Sequence, residues 1–230
     1  DRTAVEAAAE RIESDPPPLA TVDRVNRSRA DPEGYHGFTI RDSTTDGDGT
    51  TLVPPDTGIC RECLADLRDP ESPYHGYWAT ACVDCGPRFS VTRRLPYDRE
   101  RTSMADFPLC ADCRSRYETP TDRRYHAQTV ACPDCGPTVR AVADDGEPQA
   151  AGSDAIARAA EWLRDGDVVG IKGTGGSHLA VDATDTDALE RLRERLGRPS
   201  KPFAVMAPSL ETVTEWSDPG PTEREWLRDT

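Results

Sequence analysis

"CRECLADLRDPESPYHGYWATACVDC" (residues 60–85) is followed by a near copy, "CADCRSRYETPTDRRYHAQTVACPDC" (residues 110–135). Each stretch holds two Cys-x-x-Cys pairs eighteen residues apart, and their eight cysteines are the only ones in the chain. Adding fifty to Cys60, Cys63, Cys82 and Cys85 gives Cys110, Cys113, Cys132 and Cys135. Asp84 and Gly86-Pro87 recur as Asp134 and Gly136-Pro137, so the two stretches are an internal duplication. A CxxC pair sets two thiolates on one tight turn, and a second such turn closes a tetrahedron that Zn²⁺ accepts without geometric penalty. The glycine after each closing pair suits the backbone reversal of such a knuckle. Disulfides fit less well, because the chain lacks a secretion signal and spaces its cysteines as metal ligands. A redox CxxC explains one pair rather than four. Pairing within each quartet is the simpler arrangement, and the spacing also allows an interleaved one. Either way four sulfurs leave no position for a substrate, so the metal is expected to be structural. Each site could then supply on the order of 10 kcal/mol of folding free energy.

The rest of the composition says why such staples are needed. Only 36% of the 230 residues are hydrophobic, and 20 prolines and 17 glycines interrupt them, which points to small, loop-rich units rather than one large core. The formal charge of -14 argues against bulk attraction to nucleic acid or a membrane surface. Lys172 and Lys201 are the only lysines among 28 basic residues, a surface that resembles proteins of high-salt cytoplasm, a halophilic composition. Residues 54–137 carry eleven arginines against thirteen acids, and two Zn(Cys)₄ centres would each add a further -2. That is no footprint for a phosphate backbone, so the paired fingers are expected to be structural or protein-facing, with no DNA partner. No apolar run approaches the roughly 18 residues of a membrane span. The chain reads as cytoplasmic, where thiols stay reduced.

On either side of the fingers the pattern changes. Val5, Ala8, Ala9 and Ile12 recur at helical spacing until "DPPP" at 15–18 ends the run. "LATVDRV" (19–25) and "GFTIRD" (37–42) read as strands, and 43–56 as a polar linker. Beyond the fingers, 142–152 reads as a second linker, and Ser153 offers an N-cap to a helix whose apolar face is Ile156, Ala159, Ala160 and Leu163, stopped by Gly166. "DVVGI" (167–171), "HLAVDA" (178–183) and "PFAVMA" (202–207) read as strands. Leu189, Leu192 and Leu196 mark a helix closed by Gly197, and a further helical segment holds Trp226 and Leu227. This alternation implies an α/β domain. Both ends look unfinished, as in an internal fragment.

The two lysines fall in this last region. Lys172 leads into Gly173, Thr174, Gly175 and Gly176, a turn whose backbone N–H groups could cradle phosphate oxygens. It is neither a P-loop nor GxGxxG, because the lysine precedes the glycines and His178 holds the last position. Arg193, Arg195, Arg198 and Lys201 cluster at a helix end and the loop after it. Helix C-terminal compensation accounts for Arg193 and Arg195 better than for Arg198 and Lys201.

Four strings together resemble one family: "PDTGICRECLADLRDP", "CGPRFSVTRRLPYDRERTSMADFPLCADC", "DRRYHAQTVACPDCGP" and "KGTGGSHLAVDA" with "LRERLGRPSKPFAVM". They are similar to HypF, the carbamoyltransferases that mature nickel–iron hydrogenases, in the family's order over nearly the whole chain. The resemblance implies a multidomain α+β and α/β protein. Residues 1–43 would close a ferredoxin-like, acylphosphatase-like domain, 54–137 would form a tandem C4 zinc-finger module of ribbon type, and 150–230 would open a YrdC-like nucleotide domain. It implies that carbamoyl phosphate and ATP, carried with Mg²⁺, yield carbamoyl-adenylate, and that the carbamoyl group passes to a C-terminal cysteine of HypE and becomes a cyanide ligand. Lys172, Arg195, Arg198 and Lys201 would neutralise phosphates, with Gly173, Thr174, Gly175, Gly176 and His178 against the nucleotide. No catalytic residue is assigned within the chain. Double-stranded RNA at the YrdC-like region is a disfavoured ligand. Leu196 replaces the lysine usual in the family's RKxRPxKP string, and Val181 a common cysteine. Two rival readings each explain half the chain: a DnaJ-like zinc-dependent interaction module, and a YrdC-type threonylcarbamoyl-adenylate synthase acting for tRNA.

Overall fold

A computed structural model describes residues 2–16, 20, 22–31, 34 and 53–228. The expected first helix is present as α1 (Arg2–Ser14), ending where the proline run begins. Of the stretch 19–25, residues 20 and 22–25 are described and form no strand. The other expected strand, 37–42, lies outside the described residues.

The centre of the chain is built twice. Helix α2 (Arg61–Arg68) opens the first finger and α3 (Ala111–Glu118) the second. In both, the helix starts inside a CxxC pair, because the first cysteine is its N-cap: Cys60 Sγ accepts from Cys63 N at 3.4 Å and Cys110 Sγ from Cys113 N at 3.5 Å. A thiolate there also meets the positive end of the helix dipole. The loops after the two helices repeat their hydrogen bonds at the same fifty-residue offset. Gly76 N donates to Leu67 O as His126 N does to Tyr117 O, and Ser72 N to Asp69 O as Asp122 N does to Thr119 O. Gly76 needs a left-handed backbone (φ 64°), and His126 at the equivalent place adopts it too (φ 52°), its ring held between Tyr117 and Tyr125.

The two copies interlock rather than sit side by side. Tyr74 and Tyr77 of the first finger are buried against Cys113, Cys132 and Ala131 of the second, with Met104 from the connecting segment. In return Arg124 of the second finger is buried over the Tyr74 ring, 3.7 Å from its centroid, and bonds Asp66 of the first at 2.6 Å. Positions 74 and 124 are equivalents in the repeat, so the copies meet through their own corresponding positions. The first finger's own core is almost all sulfur: Cys63, Ala81, Cys82 and Cys85.

The connection between fingers is tied down by the string YDRERTSM. Arg99 donates through Nη1 to Gln128 O and Val130 O, both at 2.8 Å, and through Nη2 to Phe107 O at 2.7 Å. Thr102, fully buried, donates to Arg99 O and accepts from Met104 N. Asp56 closes the other end, accepting from Arg88 N at 2.6 Å and Ser90 N at 3.1 Å. Burial opposes ionisation of Asp56, yet these backbone bonds hold its carboxyl below the usual value.

Close packing at Gly136 gives a direct test. A Cβ there would stand 2.0 Å from Tyr77 Oη and 2.5 Å from Ala131 Cβ. Gly136→Ala is expected to lower stability by about 1–3 kcal/mol in chemical denaturation. Gly175→Ala, with open space around it, is expected to stay within about 0.5 kcal/mol of the unaltered protein.

After the fingers the structure corrects four expectations. The stretch 142–152 is not a linker: β1 (Arg140–Val142) and β2 (Pro148–Ala151) pair antiparallel around a turn with Gly146 at φ 88°. Helix α4 (Ser153–Arg164) is capped by Gly152 rather than Ser153, which is its first residue. Its inward side is Ala155, Ala159, Trp162 and Leu163, with Ile156 and Ala160 exposed, so the apolar face is rotated by about one residue. A second antiparallel pair, β3 (Val169–Lys172) and β4 (Ser177–Ala180), follows, then α5 (Thr186–Leu196), which ends on left-handed Gly197 as expected. The stretch 202–207 forms no strand; Val205 and Met206 are exposed and no described strand pairs with them. Helices α6 (Leu210–Trp216) and α7 (Pro221–Trp226) complete the described chain. The mixture of helix and sheet agrees with the expected class.

Candidate metal centres

Local pairing is what the structure shows. Cys60, Cys63, Cys82 and Cys85 bring their sulfurs within 4.8 Å of one another, and so do Cys110, Cys113, Cys132 and Cys135. The interleaved arrangement is thereby set aside. Zinc bound tetrahedrally at about 2.3 Å from each sulfur needs sulfur–sulfur edges of about 3.8 Å. Cys60–Cys82 is 3.7 Å, Cys82–Cys85 3.8 Å, Cys110–Cys132 3.8 Å and Cys132–Cys135 3.8 Å. Disulfide bonding needs about 2.05 Å, and all eight cysteines are free. The donor sets therefore fit a tetrahedral, thiophilic divalent ion.

Such crowding divides the sulfurs of a quartet. Hydrogen bonds with Cys82 and Cys85 push the Cys63 thiol up, whereas Cys63 and Cys82 pull Cys85 down to about 3. A divalent cation ends that competition by taking all four as thiolates.

The surroundings of the two quartets differ. Arg123, from the second finger, reaches the first quartet: Nη1 lies 3.0 Å from Cys63 Sγ and 3.9 Å from Cys60 Sγ, and Nη2 bonds Asp66. Burial works against the Arg123 charge, but Cys63 and Asp66 outweigh it and raise its pKa further. Burial likewise opposes Asp66, and Arg124 and Arg123 hold its carboxyl below the ordinary value. At the second quartet no side-chain N–H among the described residues donates to sulfur. The position equivalent to Arg123 is Pro73, which with Tyr74, Asp112, Cys113, Cys132 and Asp134 lines a cavity of about 310 Å³.

Neither Arg123 nor Asp66 stands out in the sequence by type. The signal was there in the repeat: 73/123, 74/124 and 66/116 are positions where the copies part, and the residues that cross between fingers sit at them.

The residues expected at phosphate lie on two separate elements. Lys172 ends β3 and pairs in register with Ser177, and the turn between them is closed by Gly173 N donating to Gly176 O at 2.7 Å. Lys172, Gly173, Thr174, Gly175 and His178 are exposed, and nothing lies within 4 Å of a Cβ placed on Gly175 or Gly176. Arg195 and Lys201 are exposed, and Arg198 is half-buried at the end of α5. Arg193 organises that end: its Nη1 donates to Arg198 O and Lys201 O, and Arg193 and Arg198 flank the Phe203 ring. No hydrogen bond or ion pair among the described residues links the Lys172 turn to the 195–201 segment.

Two tetrathiolate knuckles, interlocked and followed by a mixed helix–sheet segment, define a tandem zinc-finger-type protein with a further domain appended. A family profile described as HypF finger matches residues 59–92 and again 109–142. The Sua5/YciO/YrdC profile, described as telomere recombination, matches 161–229. The carbamoyltransferase HypF2 of Cupriavidus necator is 48% identical over 220 residues, 95% of this chain and 27% of that protein. The crystal structure of T. kodakarensis HypF superimposes with a TM-score of 0.89 at 42% identity, over 99% of this chain and 28% of that one. Full-length HypF in a phosphate- and nucleotide-bound form gives 0.87 at 40% identity, over 97% and 29%. The chain belongs to the HypF family, and it spans less than a third of the length of these relatives. No helix of the described residues is long and apolar enough to cross a membrane.

Proposed function

We infer that this chain is the middle of a HypF-type carbamoyltransferase. Two zinc fingers would brace it, and the opening part of its nucleotide domain would follow. The observation that carries the reading is the order on one chain: two finger matches, then a YrdC-type match, at 48% identity to a named carbamoyltransferase. An interaction module accounts for the fingers alone, and a tRNA-directed synthase for residues 161–229 alone.

In this reading 1–43 closes an acylphosphatase-like domain, 54–137 is the finger pair, and 150–230 begins the YrdC-like domain. Each quartet holds one Zn²⁺, whose contribution is structural. Lys172 and the glycine turn lie against the phosphates of ATP, brought with Mg²⁺. Arg195, Arg198 and Lys201 add positive charge where the carbamate left by hydrolysis of carbamoyl phosphate, inorganic phosphate having departed, attacks the α-phosphorus of ATP to give carbamoyl-adenylate and pyrophosphate. The carbamoyl group then passes to a terminal cysteine of a HypE-type partner in hydrogenase maturation. Exposed lysine and open glycine backbone are what such an approach of phosphate requires.

The test is exchange of labelled pyrophosphate into ATP by the longer protein that carries this segment. Exchange that depends on carbamoyl phosphate is expected, with Lys172→Ala reducing it by roughly tenfold or more, as loss of a preorganised charge does. Exchange supported by threonine and bicarbonate instead would replace this reading with the tRNA-directed one.

A further inference from the structure

We propose that the two metal sites are unequal by construction, with Arg123 of the second finger serving as outer-sphere counter-cation to the first quartet while the second quartet is left open to exchange. The proposal rests on the reading that both quartets bind zinc. A Zn(Cys)₄ centre carries a net charge of -2, and an N–H donor on a thiolate withdraws charge from the sulfur and slows its departure or attack.

At the first quartet that donor is present. Arg123 Nη1 sits 3.0 Å from Cys63 Sγ, and the same residue's carbonyl accepts from Val83 N at 3.3 Å, inside the closing CxxC. One residue thus clamps both halves of the site, and Asp66 fixes its guanidinium from below. Only Cys60 of this quartet is partly exposed. The second quartet has Pro73 at the equivalent place, two partly exposed sulfurs (Cys110 and Cys135), and the 310 Å³ cavity beside Cys113 and Cys132. Arg99, half-buried on that side, places its guanidinium bonds on the carbonyls of Gln128, Val130 and Phe107 instead of sulfur, and Arg116, which lines the cavity, pairs with Asp122.

The experiment is chelator-driven zinc release from the full 230-residue chain, with freed thiols trapped by N-ethylmaleimide and assigned by peptide mass spectrometry. Zinc content is measured first: fewer than two ions per chain defeats the zinc reading itself. With two bound, Cys110, Cys113, Cys132 and Cys135 are expected to label about tenfold or more ahead of Cys60, Cys63, Cys82 and Cys85, the scale of outer-sphere effects on metal affinity. Arg123→Met should speed the first quartet and close most of that gap, and Arg123→Lys, which keeps the charge, should restore the order. Labelling of both quartets together, or of the first ahead of the second, overturns the proposal. So does an Arg123→Met protein whose order is unchanged, or an Arg123→Lys protein that behaves like it.

Discussion

Replacing Cys63 with serine is expected to unfold residues 54–137 as a whole, not only the first finger. Loss of one thiolate turns a closed tetrahedral site into a poor one, and a structural zinc contributes on the order of 10 kcal/mol. Whole domains are commonly stable by only about 5–15 kcal/mol. The first finger's own core is three cysteines and one alanine, with Cys60 packed against them, and the shared core sets Tyr74 and Tyr77 of that finger against the second, so losing the one uncovers the other. Limited trypsin digestion gives a direct reading. Arg88 and Arg124 are buried and Arg99 is wrapped by carbonyls, so cleavage after them reports loss of the fold. In the zinc-loaded chain these three sites should resist, and in the Cys63→Ser protein all three should be cut. Protection of Arg124 in that variant would mean that the second finger stands without the first.

Asp66→Ala is the second large effect. Arg124 is 2% exposed and sits over Tyr74, so removing its carboxylate partner strands a buried charge. Breaking a buried pair from one side costs about 3–5 kcal/mol. Arg123 loses its anchor at the same time. The loss should appear as a lower denaturation midpoint at saturating zinc, and Asp66→Asn should recover part of it by keeping an acceptor. A cost below about 1 kcal/mol would place the pair among the weak surface bridges. The sign with pH follows from the lowered carboxyl of Asp66. Its contribution is complete above the ordinary carboxylate value of 3.8 and disappears as the pH falls through the lower folded-state value.

What the sequence disclosed and what it withheld divide along physical lines. Metal ligands are legible because only cysteine, at fixed spacing, does their work, and the fifty-residue offset showed two sites at once. Gly197 was legible as a helix stop because a left-handed residue is needed there. The stretch 142–152 misled because its charge and Pro148 suggest a linker, although Asp145-Gly146 is also a hairpin turn signal. Residues 202–207 have the apolar content of a strand, and content does not supply a neighbour. The cross-finger contacts stayed hidden for another reason. They lie where the copies differ, whereas a duplication draws attention to where they agree. The resemblance to HypF was legible in strings such as YDRERTSM, whose physical task, Arg99 gathering three carbonyls, appears only in three dimensions.

The crossed contacts carry a consequence for how this region could be inherited or dissected. Excising either repeat at the gene level would remove half of the other's lining: tyrosines from one, arginines from the other. The two copies are therefore expected to depend on each other, and a protein with a single copy would need some other cover for its sulfurs.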